Sequence, residues 1–317
     1  MNMKISSSQE PRIYVAGHTG MVGSAICRRL SSENMNLVKP SKRVDLTNQE
    51  AVNELISELK PDWIFLAAAK VGGIRANSTY PSDFIYANLM IECNLMRAAF
   101  ENNVSKLMFL GSSCIYPRNC PQPIKEEYLL SDYLEPSNKP YAIAKIAGIV
   151  MAQSFCHQYG CNFMSVMPSN LYGPNDNFDL MDSHVIPALM RKTHEAKVNG
   201  AGSVEVWGTG KPYREFLHVD DLADACLFLM KNYNSPELIN IGSGHDQTVL
   251  ELANTIREVV GYEGEIKFNT AMPDGTPRKL LDISKLKALG WGPSIPLREG
   301  LAQTYRWYVE NERAARK

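Results

Sequence analysis

The sequence predicts a doubly wound parallel α/β sheet followed by a smaller C-terminal α/β lobe. Three observations predict it. Short apolar, β-rich runs alternate with helical stretches up to about residue 170. The first run, Ile13-Tyr14-Val15-Ala16, passes directly into Gly17-His18-Thr19-Gly20-Met21-Val22-Gly23, and helical character follows from Ala25 to Leu30. Beyond residue 170 the alternation loosens into short strands (Val204 to Val206, Leu238 to Ile241, Ile266 to Phe268) mixed with helices (Val219 to Lys231, Val249 to Val260, Leu297 to Glu310). We therefore expect a cofactor-binding unit over 1–170 and a substrate-binding lobe over 171–317, with some later segments returning to the first unit.

Composition narrows the class. At 317 residues the chain can bury a sizeable core. Lys and Arg total 33 against 34 Asp and Glu, which gives no global charge for nucleic acid or an anionic membrane. Seven cysteines, with no Cys-x-x-Cys pair, argue against a disulfide framework and a zinc site, and no metal is expected. Met1 to Pro11 is polar and reads as no signal peptide. The longest apolar stretches are broken by Lys or Asn before membrane-spanning length. A cytoplasmic globular protein is the expectation.

Each element then has a local reason. Strand, glycine turn and helix in immediate succession are the context that makes a glycine pattern a dinucleotide site, hence a Rossmann-like sheet. Gly17 would permit the tight turn, Gly20 the approach of a pyrophosphate, and Gly23 close packing of helix on strand, with the helix N-terminus facing the phosphates. After Leu37-Val38 comes a basic loop. Lys39, Lys42 and Arg43 there suit the 2′-phosphate of NADP better than the 2′-hydroxyl of NAD. Asp45-Leu46 leads into the next helix, and Asp45 either meets the adenine edge or caps that helix. The third strand, Pro61 to Ala69, ends in Ala67-Ala68-Ala69, small residues that let something pass close to the backbone, before the loop Lys70-Val71-Gly72-Gly73-Ile74. A long helix follows from Pro81 to Asn102, then a fourth strand, Lys106 to Leu110, ending in Gly111-Ser112-Ser113-Cys114-Ile115-Tyr116-Pro117. The helix from Pro140 to Tyr159 and a fifth strand, Phe163 to Met167, complete the alternation.

Tyr141 and Lys145 lie four apart near the start of that last helix, on one face. An ammonium near a phenol stabilises the phenolate, so Tyr141 is expected to pass a proton near neutral pH. Such a pair suits ketone reduction, where a phenol protonates the oxygen as hydride reaches the carbon.

The glycine turn, Ser112 and Tyr141-xxx-Lys145 together resemble the extended short-chain dehydrogenase/reductase superfamily. Further motifs narrow the resemblance: Ala67 to Ile74, the cysteine of Ser112-Ser113-Cys114, and Ser183-His184-Val185-Ile186-Pro187-Ala188-Leu189. Arg214-Glu215-Phe216-Leu217-His218-Val219-Asp220-Asp221 and Pro273-Asp274-Gly275-Thr276-Pro277-Arg278-Lys279 complete the set. In this order, from about residue 12 to 310, they resemble the GDP-L-fucose synthase family.

The resemblance implies NADPH as cofactor and GDP-4-keto-6-deoxy-mannose as substrate, epimerised at C3 and C5 and then reduced at C4. It implies Cys114 as base and His184 as acid of the epimerisations, since the C4 ketone acidifies both flanking C–H bonds. A thiol ionises near pH ~8.5 and an imidazole near ~6.5, which suits both for proton transfer. Ser112 and Tyr141 would hold the C4 oxygen, and Lys145 the nicotinamide ribose. By the same resemblance the cofactor would lie along the turn from Gly17 to Gly23, the Lys39–Leu46 segment, Ala67 to Ala69, Leu110-Gly111-Ser112, Pro168, Asn170, Leu171 and His184. The substrate would meet Ser113, Asn170, Val185, Trp207, Asp274 and, at its diphosphate, Arg214 with Lys279 nearby. Two positions depart from the family. Thr19 stands where an arginine often helps hold the 2′-phosphate, and Lys192 stands for a diphosphate-binding arginine, with Arg191 beside it as a possible substitute. A homodimer paired through the two long helices is also implied. The rival readings are a nucleotide-sugar 4-epimerase of the superfamily, in which Cys114 and His184 would be idle, a 4,6-dehydratase, which usually carries an acidic pair where this chain has Ser113-Cys114, and a silent dinucleotide-binding module.

Overall fold

The computed structural model describes residues 10–315 except Met181 and Pro273, so most of the polar N-terminal stretch lies outside the described residues. Strands and helices alternate through the first half. They are β1 (Ile13–Ala16), α1 (Met21–Ser32), β2 (Leu37–Val38), α2 (Gln49–Leu59), β3 (Trp63–Leu66), α3 (Ile74–Thr79), α4 (Pro81–Glu101), β4 (Lys106–Leu110), α5 (Lys139–Tyr159) and β5 (Phe163–Pro168). The second half carries β6 (Asn170–Tyr172), α6 (Val185–Val198), β7 (Ser203–Trp207), β8 (Tyr213–His218), α7 (Val219–Asn232), β9 (Ile239–Ile241) and β10 (Asp246–Thr248). It ends with α8 (Val249–Val260), β11 (Glu265–Asn269), β12 (Arg278–Lys279), α9 (Ser284–Ala288) and α10 (Leu297–Ala315).

Six strands form one parallel sheet in the order β2-β1-β3-β4-β5-β9. Side-chain alternation along each strand feeds two cores. Tyr14, Ile64, Leu107 and Phe109 face α2, α4 and α5, whereas Ile13, Val15, Phe65 and Met108 face α1 and α7. Burial on both faces is why these strands read as continuous apolar runs. The chain leaves β1 toward β2 and returns to β3 on its other side, so a crevice opens at the carboxyl ends of β1 and β3, where open α/β sheets bind ligands.

Some local expectations needed correction. Asn48, and not Asp45, caps α2: its Oδ1 accepts from Ala51 N at 3.0 Å. Asp45 instead closes a turn on Thr47, accepting from its backbone N at 2.9 Å and from its hydroxyl at 2.8 Å. The third strand is shorter than expected, stopping at Leu66. The smaller lobe holds a four-stranded sheet, in which β8 pairs with β10, β12 and β6, and a parallel pair, β11 with β7. Strand β8 went unread because Arg214-Glu215 breaks its apolar pattern, although Glu215 is fully buried. Its carboxylate accepts from Gly244 N at 2.7 Å and Leu281 N at 2.9 Å, tying three segments of the lobe together. Among the described residues no helix is long and apolar enough to cross a membrane.

Candidate active site

The cradle at the end of β1 is built for close approach. Gly17 has φ +86°, and a Cβ there would meet Ala68 N at 2.8 Å. A Cβ on Gly23 would stand 2.1 Å from Gly17 O, so α1 can lie against the turn only with glycine at that position. Gly20 caps α1 without a side-chain hydrogen bond, and no acidic residue lies in the first turn. The first N–H groups of α1, toward Met21 and Val22, are thus free of side-chain caps, which fits a diphosphate. Beside them an open groove of about 730 Å³ is lined by His18, Ser24, Cys27, Arg28, Lys39 and Asn175. Lys39 lines this groove, while Thr19, Lys42 and Arg43 are exposed and do not line it. Arg28, which sequence reasoning passed over, lies in the groove and pairs with Asp220 at 2.5 Å. Leu46 packs into the α2 side of the core, and its carbonyl accepts from Asn94 Nδ2 at 3.1 Å. Ala67, Ala68 and Ala69 continue from β3, with Ala67 N bonded to Ala16 O at 3.1 Å.

Next along the sheet edge, Gly111 is small because a Cβ would meet the Met167 thioether at 2.5 Å. Ser112 is extended, and its Oγ accepts from Cys114 N at 3.2 Å, which opens a single 3₁₀ turn over Ser113–Ile115. That turn folds Cys114 back beside the start of α5, where Tyr141 shares a side-chain hydrogen bond with Ser112. Ser112, Cys114 and Tyr141, which lie far apart in the chain, therefore meet. Lys145 lies one turn further, its Nζ 5.9 Å from the Tyr141 ring centroid and donating to Leu110 O at 3.1 Å.

Lys145 has an acidic partner of its own that sequence reasoning did not identify. Lys145 Nζ lies 3.0 Å from Glu92 Oε1, and both side chains are buried. Burial, then the neighbouring Cys114 and Glu92, push the Tyr141 phenol up, with only the Ser112 hydrogen bond opposing. Glu92 was missed because a glutamate inside a long helix reads as a solvated face.

His184 takes the N-cap position of α6. The Lys70–Gly73 loop fixes its approach, since Gly73 N donates to Asp182 O at 2.9 Å. Val185 opens the helix, half-buried. His184 is exposed by surface area, yet the protein crowded around it, and then Lys279, push its imidazole pKa down. Lys279 reaches Cys114: Nζ lies 3.6 Å from Sγ. The same lysine thus bears on both members of the expected acid/base pair.

Lys279 is in register with Arg214 across β12 and β8. The Arg214 guanidinium donates to Tyr213 O at 2.8 Å and Asp274 O at 3.3 Å, and burial lowers its pKa while Asp274 opposes this. The Asp274 carboxylate accepts from Thr209 N at 2.6 Å and from its hydroxyl at 2.9 Å. Trp207 is half-exposed, with Lys192 Nζ 5.4 Å from its ring centroid. Arg191 is occupied elsewhere, donating to Glu195 at 2.9 Å and Phe178 O at 2.9 Å, so Lys192 is the cation beside Trp207. Asn170 donates to Glu215 O at 2.7 Å, which sets it and Leu171 between the two sheets just after buried Pro168.

Residues 13–242 match the sequence model of the NAD dependent epimerase/dehydratase family. The chain is 58% identical over 307 residues to GDP-L-fucose synthase 1 of Arabidopsis thaliana, covering 96% of this chain and 95% of that one. It superimposes on a GDP-L-fucose synthetase from Naegleria fowleri bound to NADP with a TM-score of 0.91, at 30% identity, covering 99% and 98% of the two chains. With a GDP-mannoheptose C4 reductase from Campylobacter jejuni with NADP bound, the TM-score is 0.88 at 41% identity, covering 96% and 100%. The chain belongs to the NAD dependent epimerase/dehydratase family and, within it, to the GDP-L-fucose synthases.

Proposed function

We propose that this protein converts GDP-4-keto-6-deoxy-D-mannose to GDP-L-fucose by epimerising C3 and C5 and then reducing the C4 ketone with NADPH. The observation that carries the reading is the meeting of two proton-transfer devices at one sheet edge: Tyr141 on Ser112, and Cys114 under the Lys279 ammonium.

The chemistry follows from the ketone. Its oxygen can hold the charge of an enolate toward either neighbour, so one pocket serves both epimerisations. Ser112 and Tyr141 donate hydrogen bonds to that oxygen. Cys114, with the Lys279 ammonium beside its sulfur, removes the proton from carbon, and His184 returns one to the opposite face. For the reduction, a bound nicotinamide would supply the hydride for C4. Tyr141 gives its O–H proton to the C4 oxygen and is reprotonated from solvent. The cradle from Gly17 to Gly23 would hold the cofactor diphosphate. Lys39, with Lys42 and Arg43 of the same loop, would hold the 2′-phosphate, and Lys145, Pro168, Asn170 and Leu171 would hold the nicotinamide half. Arg214 and Lys192 are assigned to the GDP diphosphate, Trp207 to its base, and Ser113, Val185 and Asp274 to the substrate side. The region up to about residue 170 is the cofactor unit and the rest the substrate unit, with α7 and β9 joined to the former.

Two further assignments have physical support. The exposed apolar side chains Tyr86 on α4 and Ile143 and Val150 on α5 favour a homodimer through these paired helices. Seven free cysteines favour a reducing cytoplasm.

The likeness to a C4 reductase favours one second reading, reduction without epimerisation. Loss of NADPH absorbance with GDP-4-keto-6-deoxy-mannose, with the sugar product identified by NMR, separates the two. GDP-L-fucose is the expected product, and a C4-reduced sugar unchanged at C3 and C5 would overturn the proposal.

A further inference from the structure

Thr19 leaves the 2′-phosphate without the arginine that often holds it, and of the basic loop after β2 only Lys39 lines the groove beside α1. A lysine is a point charge with no fork, a weak basis for telling NADP from NAD. The groove holds a second cation. Arg28 lines it with Lys39, His18, Ser24 and Asn175, and no carboxylate is among the lining residues. His18 belongs to the glycine turn, so the groove opens onto the cradle assigned to the cofactor diphosphate.

The two cations converge. Side chains on a helix lean toward its N-terminus, and Arg28 does so: Nη1 reaches the Ser24 hydroxyl, one turn nearer the cradle, at 3.4 Å. Both charges are felt at Cys27, where burial pushes the thiol pKa up and Lys39, then Arg28, pull it down. They therefore flank one side chain of the groove wall.

Arg28 also has donors to spare. Asp220, at the start of α7, accepts from Nη2 at 2.5 Å and does not line the groove. The two side chains are 42% and 40% exposed, so water screens the pair and it adds little to stability. It does fix one side of the guanidinium. The Ser24 hydroxyl is already served, donating to Met21 O and accepting from Asn175 Nδ2, both at 3.0 Å, so Arg28 gives up little by turning from it. A guanidinium offers several N–H donors in a rigid fork, and Nε has no partner among the described residues. A phosphate can thus take the free donors while Asp220 keeps its own, and a fork on phosphate is where arginine surpasses lysine.

We infer that Arg28, together with Lys39, binds the 2′-phosphate of NADP in place of the arginine that Thr19 replaces, and so sets the preference for NADP over NAD. Asp220 is a positioning residue that holds the guanidinium at the groove. This rests on the NADP assignment above and adds the residue that reads the phosphate.

Fluorescence titration of the full chain with NADPH and with NADH tests it, since the two differ in the 2′-phosphate alone. The wild type is expected to bind NADPH about a hundredfold more tightly than NADH. In Arg28→Ala, NADPH should bind about tenfold or more weakly while NADH stays within about twofold, which also shows that the groove is intact. Arg28→Lys, which keeps the charge and loses the fork, should recover part of the loss. Equal weakening of both nucleotides would overturn the inference and make Arg28 a support of the groove. NADPH affinity unchanged in Arg28→Ala would overturn it too, as would a wild type that binds the two nucleotides alike. The titration needs no sugar nucleotide, so it reads the inference even if the wild type makes no GDP-L-fucose, an outcome that would instead remove the proposed function.

Discussion

Lys279 carries its ammonium to 3.6 Å from the Cys114 sulfur, from a strand 165 positions further along the chain. The same ammonium disfavours imidazolium at His184, after burial. One charge therefore faces both members of the expected acid/base pair. Lys279→Gln is expected to slow solvent-deuterium exchange into the substrate about tenfold at neutral pH, read by mass spectrometry of the sugar nucleotide, and to slow it more than NADPH oxidation. Exchange at the wild-type rate would show that Lys279 serves the diphosphate alone.

Asp176 is buried, with Oδ1 accepting from Asn177 N at 2.8 Å and Oδ2 without a partner among the described residues. Burial pushes its carboxyl up to about 7. Because an unfolded aspartate ionises near ~3.9, the native state binds more protons than the unfolded one between these values. Stability from this group is present at low pH and is lost as pH rises from ~4 to ~7, by up to about 4 kcal/mol. Asp176→Asn should therefore gain on the wild type between pH 5 and pH 8 in urea unfolding, by about 1–3 kcal/mol. A gap that does not change with pH would contradict this.

Gly23→Ala drives a methyl into Gly17 O. We expect a loss of about 2 kcal/mol in stability and weaker NADPH binding, seen by thermal unfolding and by fluorescence titration. A variant that binds NADPH as the wild type does would show that the α1 N-terminus does not carry the diphosphate.

Trp207 presents a half-exposed ring under the Lys192 ammonium. Stacking on a base is worth about 1–3 kcal/mol, so Trp207→Ala should weaken GDP binding roughly tenfold by calorimetry while leaving the fold unchanged. No change would place the base elsewhere.

The parts of this protein that could be read from sequence are those whose function is written locally. The glycine turn follows its strand directly, Ser112 and Cys114 share one 3₁₀ turn, and Tyr141 and Lys145 share one helical face. The parts that could not be read depend on long-range packing. Glu92 meets Lys145 only because α4 lies on α5 across Gly148. Lys279, expected near the diphosphate, meets Cys114 because β12 joins β8 in the second sheet. Arg28, inside α1, carries no sequence signal of its own and gains one only from the groove that it lines. The Tyr141-xxx-Lys145 spacing placed both side chains on one face, but spacing shows a neighbour and not what else that neighbour meets.

The most direct test of two chemistries in one pocket is deuterium incorporation at C3 and C5 of GDP-4-keto-6-deoxy-mannose in heavy water, with Cys114→Ser and Tyr141→Phe beside the wild type. The account predicts that Tyr141→Phe still exchanges these hydrogens while failing to oxidise NADPH. It predicts that Cys114→Ser loses the exchange. Exchange that survives in Cys114→Ser and vanishes only in Tyr141→Phe would contradict it.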